Sequence, residues 1–168
     1  ALPPSVLWIA PLDGGPPGPL TKVGHPSGGH GAAAWSPVGK RIAFATYNRT
    51  AAEIWIVGTD GKDLVQVSEG NGQCYDPVWG ADGASITYPC LAENFRAGLF
   101  RRRIDPATGK TVGKPEEIVN FGGAGLGWVK QLAISRDGSK VAFAGLAMAS
   151  NIWRATVDAK GEIAQLAD

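Results

Sequence analysis

One ten-residue pattern occurs three times along this chain. It reads Trp35-Ser36-Pro37-Val38-Gly39-Lys40-Arg41-Ile42-Ala43-Phe44, then Trp79-Gly80-Ala81-Asp82-Gly83-Ala84-Ser85-Ile86-Thr87-Tyr88, then Ile134-Ser135-Arg136-Asp137-Gly138-Ser139-Lys140-Val141-Ala142-Phe143. An apolar residue ends one strand, four turn formers follow with Gly last, and an alternating apolar strand begins. Asp-Gly between two apolar runs signals a hairpin, because Gly accepts the positive φ that the turn requires. Val38 replaces Asp in the first copy, which leaves that turn less well specified. A small unit repeated along a chain cannot bury its apolar face alone, so neighbouring units must stack to form a core.

A second anchor keeps step with the turn. Trp55, Phe100 and Trp153 follow Gly39, Gly83 and Gly138 by sixteen, seventeen and fifteen residues. Each anchor strand runs into another polar turn (Asp60-Gly61, Asp105 to Gly109, Asp158 to Gly161) and then a fourth short strand. Four antiparallel strands in roughly 40–45 residues is the period of a β-propeller blade. The expected fold is therefore all-β, a partial propeller in a single domain, with blades at about residues 30–69, 74–120 and 129–168. Residues 1–24 form half a blade, in which Trp8 takes the place of Trp55 and a closing strand falls near Leu20 to Val23. The long second interval is expected to be a Gly-rich extended loop from Lys110 to Leu126. Trp8, Trp35, Trp55, Trp79, Phe100 and Trp153 recur with the unit and are expected to pack between blades. Three and a half blades leave raw sheet edges, which invite pairing with a second copy or with further sequence.

Composition narrows the function. Sixteen basic and fifteen acidic residues nearly cancel, which removes the electrostatic case for nucleic-acid binding. Arg101-Arg102-Arg103 is the only basic run and is expected to be a solvated strand edge. No apolar stretch is long enough for a membrane-spanning helix, and the first residues lack a charged and apolar leader. Gly122-Gly123-Ala124-Gly125-Leu126-Gly127 has no βαβ context and is not a dinucleotide loop. No Gly-x-Ser-x-Gly elbow occurs. No catalytic residue, metal ligand set or cofactor is implied.

The turn, the Lys-Arg-Ile-Ala-Phe strand and the Ile-Trp or Leu-Phe anchor together resemble the TolB-like (WD40-like) β-propeller repeats of bacteria, from Val6 to about Leu166. The resemblance implies an extracytoplasmic, periplasmic or secreted, binding or scaffold module with a protein or peptide partner, joined to other domains. It also admits a substrate-gating propeller of a prolyl-oligopeptidase-type peptidase whose catalytic domain lies outside this chain. A metal-dependent lyase or lactonase propeller is a third reading.

Few residues carry chemistry. A hairpin in which Trp79 faces Ser85 also sets Cys74 opposite Cys90. Directly opposed positions have Cβ atoms about 4.5–5.5 Å apart, close to disulfide reach. The pair is either a disulfide, fitting an oxidising compartment, or two buried thiols. His25 and His30 sit in a Gly-rich loop without nearby acids, which suits an exposed loop better than a metal site. His30, just before an innermost strand, is expected to look into the central channel. Tyr75, Asp76, Lys130 and Gln131 lie three to four residues before the anchors Trp79 and Ile134, where a ligand in the channel would be met. The plain alternative is that they satisfy strand-end backbone groups.

Overall fold

A computed structural model of the chain describes residues 5–69, 72–92, 96–122 and 125–147, together with the strands Arg154–Val157 and Ile163–Ala167. The fold is all-β, a set of propeller-type blades. A first pair, β1 (Trp8–Ile9) and β2 (Gly18–Pro19), is followed by β3 (Gly29–Trp35), β4 (Arg41–Tyr47), β5 (Ala52–Gly58) and β6 (Val65–Gln66). The next unit contains β7 (Gly72–Cys74), β8 (Val78–Trp79), β9 (Ser85–Ala92), β10 (Ala97–Ile104) and β11 (Thr111–Asn120). The third contains β12 (Leu126–Ile134), β13 (Val141–Ala147), β14 (Arg154–Val157) and β15 (Ile163–Ala167). Neighbouring strands of the first two blades pair antiparallel, and in the third unit β12 pairs with β13 and β14 with β15. A single parallel bridge, Ala52 to Gln73, joins the first two blades into one continuous sheet.

The three repeated turns share one backbone. In each, the Gly N–H donates to the carbonyl three residues back: Gly39 to Ser36 at 2.8 Å, Gly83 to Gly80 at 2.9 Å and Gly138 to Ser135 at 2.8 Å. The glycines have φ of 72°, 69° and 71°, the left-handed region that a side chain disfavours. Asp82 and Asp137 also accept the amides of Ala84 and Ser139. Val38 forfeits that bond and leaves the buried Ser36 Oγ without the carboxylate that Ser135 Oγ finds in Asp137, yet its turn closes like the others: the demand falls on the glycine.

Each innermost strand also contains a bulge that the sequence pattern hides. Ala32, Asp76 and Gln131 have φ of 51°, 44° and 56°, and each stands three residues before its anchor, Trp35, Trp79 or Ile134. Pairing slips at these points, between Gly31 and Ala34 and between Lys130 and Ala133. In the second blade the slip corrects the expected register. Trp79 faces Ile86 rather than Ser85, and the bulge at Asp76 restores the offset so that Cys74 faces Cys90. Their sulfurs form a disulfide, with S–S 2.05 Å.

Three apolar layers lie between successive units. Ile42, Phe44 and Val57 pack against Leu7, Ile9, Leu20, Trp55 and Leu64 of the half blade and the first blade. Ala43, Ala45, Ile54 and Ile56 meet Cys74, Trp79, Ile86, Tyr88 and Ile104 of the second blade, with Phe100 alongside. Leu99 and Phe121 meet Val129, with Phe143 nearby. Strand alternation produces this arrangement: Ile42 and Phe44 face one neighbour, Ala43 and Ala45 the other.

Several expectations need correction. Trp8 and Trp35 stand 61% and 55% exposed rather than packed, whereas Trp55, Trp79 and Phe100 join the layers. Trp153 lies outside the described residues. The loop expected from Lys110 to Leu126 is largely strand, because the unit's fourth strand, expected at Glu117 to Asn120, begins earlier and runs ten residues as Thr111–Asn120, bulging twice against β10. The strand near Leu20 to Val23 falls earlier, at Gly18–Pro19, with the Leu20 amide donating to the Leu7 carbonyl. Arg102 is not a solvated edge charge. Alternation on β10 exposes Arg101 and Arg103 but turns Arg102, 5% exposed, into the seam between the first two blades, where Nη2 lies 2.8 Å from Glu69 Oε1.

Candidate functional site

The two bulges at Asp76 and Gln131 lie side by side. Asp76 Oδ2 accepts the Gln131 backbone N–H at 3.0 Å, tying the innermost strand of the second blade to that of the third. Asp tolerates the left-handed backbone better than most residues, and a bulge re-aims the side chains beside it. Tyr75, with its amide donated to Pro89 O at 3.2 Å, is turned toward the third blade. There it stacks on Trp128 at a centroid distance of 5.4 Å and an interplanar angle of 23°. Lys130 places Nζ 5.0 Å from the centre of the Trp128 ring, a cation–π arrangement.

These residues line a cavity of about 320 Å³, closed by Tyr47 at the end of β4, Ala52 and Gln73. Ala52 and Gln73 are the two residues of the parallel bridge, so the floor is the point where the first two blades join. Tyr75 is buried. Neither its hydroxyl nor the buried Trp128 Nε1–H has a hydrogen-bond partner. Buried polar groups are normally satisfied, so such exceptions need an explanation. Burial pushes the Tyr75 phenol up to about 12, the adjacent Val129 amide opposes this without reaching hydrogen-bond geometry, and Asp76 and Tyr47 add to it. Burial raises Tyr47 as well, with Asp76 contributing. Both phenols are therefore neutral donors at physiological pH. The wall offers two phenols, an indole N–H, an amide, one ammonium and one carboxylate around stacked rings. This set can hold a polar ligand with flat or aliphatic parts.

Of the residues expected to face a channel, Tyr75, Asp76 and Lys130 meet at this cavity. Gln131 enters through its backbone N–H. His30 does not take part. It is 4% exposed and sits beneath the half blade, with Nδ1 2.8 Å from Thr21 Oγ1 and Nε2 2.9 Å from the Pro26 carbonyl. A carbonyl only accepts, so Nε2 carries a proton, and in the neutral imidazole Nδ1 accepts from the Thr21 hydroxyl. His25 is exposed, apart from that pair. Trp128, Tyr47 and Gln73 were missed because their positions lie outside the turn repeat. The signal available was an aromatic two residues before Lys130. Among the described residues, no cluster of three or more His, Cys, Asp or Glu side chains is placed to hold a metal, and no helix is long and apolar enough to cross a membrane.

No family model matches the sequence, and no curated protein matches it. Solved structures do share the fold. TolB from Acinetobacter baumannii superposes with a TM-score of 0.64 at 19% identity, over 94% of this chain and 36% of that one. A protein assigned as TolB from Agrobacterium tumefaciens gives 0.67 at 19% identity, over 98% of this chain and 56% of that one. The chain thus spans between about a third and somewhat over half the length of these neighbours. At that identity the likeness is one of fold.

Proposed function

We propose that the chain is a non-catalytic binding module that holds a segment of a protein or peptide at the cavity between Tyr75, Asp76, Trp128 and Lys130. One observation carries the reading: two buried donors, Tyr75 OH and Trp128 Nε1–H, lack partners beside a cation and a carboxylate. Peptide backbone supplies carbonyl acceptors for such donors, and its side chains stack on the paired rings.

An extracytoplasmic setting agrees with the Cys74–Cys90 disulfide, since disulfides persist in oxidising compartments. Self-association is part of the proposal. Trp8 and Trp35 flank a small apolar recess with Leu7, Ile9, Leu20 and Ile42 where the half blade meets the first blade, and a second copy is its expected cover.

A peptide array probed with the purified chain tests the site. Peptides retained by the native chain should lose about tenfold in affinity with Tyr75→Phe or Trp128→Phe. Unchanged binding by both variants overturns the assignment. Light scattering tests the second element, with a dimer expected and a concentration-independent monomer the contrary result.

A further inference from the structure

A second cavity is larger than the one above. A space of about 570 Å³ opens on the outer side of the seam between the first and second blades, within the usual size range of ligand pockets. It has a physical origin in the strands. The first blade's outer strand β6 is only two residues long. Opposite Arg102, β11 slips out of register: Arg101 pairs with Glu116 but Arg103 pairs with Val112. The extra residues, Gly113 to Pro115, arch away and bring Lys114 and Pro115 to the rim.

The floor is apolar. Tyr88 and Phe100 lie stacked with centroids 6.3 Å apart, beside the Cys74–Cys90 disulfide. Gly98 keeps the floor low, because a Cβ there would come within 3.0 Å of Glu117 Oε1. The polar groups are unevenly satisfied. Glu69 is paired with Arg102, and Glu117 accepts from Asn120 Nδ2 at 2.8 Å. Both acids of the wall are thus engaged. Three donor atoms are not: Tyr88 OH, in a residue 1% exposed, and Nε and Nη1 of the buried Arg102 behind Glu69 have no partner. Burial pushes the Tyr88 phenol up to about 12, with the Arg102 cation opposing and Glu69 adding, so it stays a donor. Arg96 and Lys114 are the cations of the lining.

We propose that this seam cavity is a second binding site, taking a carboxylate attached to an apolar, preferably aromatic, body. The body lies on Tyr88 and Phe100, and the carboxylate accepts from Lys114 and Tyr88 within the positive field of Arg102 and Arg96. Two sources share that chemistry: a small aryl-alkyl acid, and the C-terminal carboxylate of a peptide ending in an aromatic residue. The site is independent of the inner cavity, which shares no residue with it.

Calorimetric titration of the whole chain with phenylpropanoate and with its neutral amide tests the proposal, run beside a tripeptide ending in phenylalanine with a free or an amidated C-terminus. At least one acid should bind saturably, about tenfold tighter than its amide, and shift the backbone amide signals of Gly72 and Gly98 in the NMR spectrum. Which acid binds identifies the source. Lys114→Gln should remove most of the preference for acid over amide, Tyr88→Phe should reduce it several-fold, and Lys40→Gln, in an exposed turn, should leave it intact. Arg102 substitutions endanger folding, which is why the test rests on Lys114 and Tyr88. Failure of both acids to saturate, equal binding of acid and amide, or an unchanged preference in Lys114→Gln overturns the proposal.

Discussion

The Asp76 carboxylate accepts the backbone N–H of Gln131 at 3.0 Å, across 55 positions of sequence. Both residues occupy the left-handed region at the bulge of their own blade, so the bond joins equivalent points of successive repeats. Asp76→Ala removes the acceptor and puts a Cβ without a local hydrogen bond at positive φ. Asp76→Asn keeps an acceptor oxygen, and Asp76→Gly relieves the backbone while losing the bond. Destabilisation of about 1–2 kcal/mol is expected for Ala, less for Gly and least for Asn, measured by urea denaturation. Equal effects of Ala and Asn would show that the carbonyl-type acceptor is immaterial.

All three tyrosines of the chain, Tyr47, Tyr75 and Tyr88, are raised above their ordinary value of 10.0, chiefly by burial, and the latter two reach about 12. Below pH 10 both folded and unfolded chains hold these protons, and stability is unaffected. Between 10 and 12 the unfolded chain releases the Tyr75 and Tyr88 protons while the folded chain holds them, so stability falls as pH rises through that window. Tyrosinate absorbance should therefore lag that of the denatured chain, then rise abruptly as the fold gives way. Smooth titration of Tyr75 and Tyr88 near pH 10 in the folded chain would contradict their burial.

The blade period was legible because turns and anchors are local demands, set by a glycine that must take positive φ and an aromatic that must pack. The bulges at Ala32, Asp76 and Gln131 were not. Three different side chains tolerate one backbone state there, so no residue type marks the position. Missing that bulge put Trp79 against Ser85, although the cysteine pairing came out the same. The fate of Arg102 was hidden in a similar way. Its triplet reads as uniform charge, yet only alternation on a paired strand decides that the middle residue turns inward toward Glu69. Trp8 and Trp35 read as packing residues from their spacing alone, whereas burial depends on which strands lie over them.

Cys74 and Cys90 close a loop with a sequence separation of 16. Chain-entropy arguments assign a loop of that size about 3 kcal/mol. Cys74→Ala/Cys90→Ala should lose roughly that amount, lowering the thermal midpoint by roughly 10 °C for a chain of this length. Reduction of the native chain should approach the same midpoint. Scanning calorimetry with and without reductant makes the comparison, and an unchanged midpoint in both cases would mean that the cross-link adds nothing to the β7–β9 pairing.

Thr21 and His30 anchor the half blade to the first full blade through a relay with one direction. The Leu7 amide donates to Thr21 Oγ1 at 2.9 Å, the Thr21 hydroxyl donates to His30 Nδ1 at 2.8 Å, and His30 Nε2–H donates to the Pro26 carbonyl at 2.9 Å. Thr21 and His30 are 7% and 4% exposed, so water is a poor substitute for a lost partner. Thr21→Val keeps the shape but leaves the Leu7 donor and the His30 acceptor unpaired, at a cost of about 2 kcal/mol. Thr21→Ser keeps the hydroxyl and should cost less than half as much. The loss should also be local. Hydrogen exchange at Leu20 and His30, whose amides donate to Leu7 O and Ser5 O, should accelerate in Thr21→Val, while exchange at Leu99, in the layer between the second and third blades, stays slow. Acceleration spread evenly over all three layers would show that the half blade does not open separately from the blades behind it.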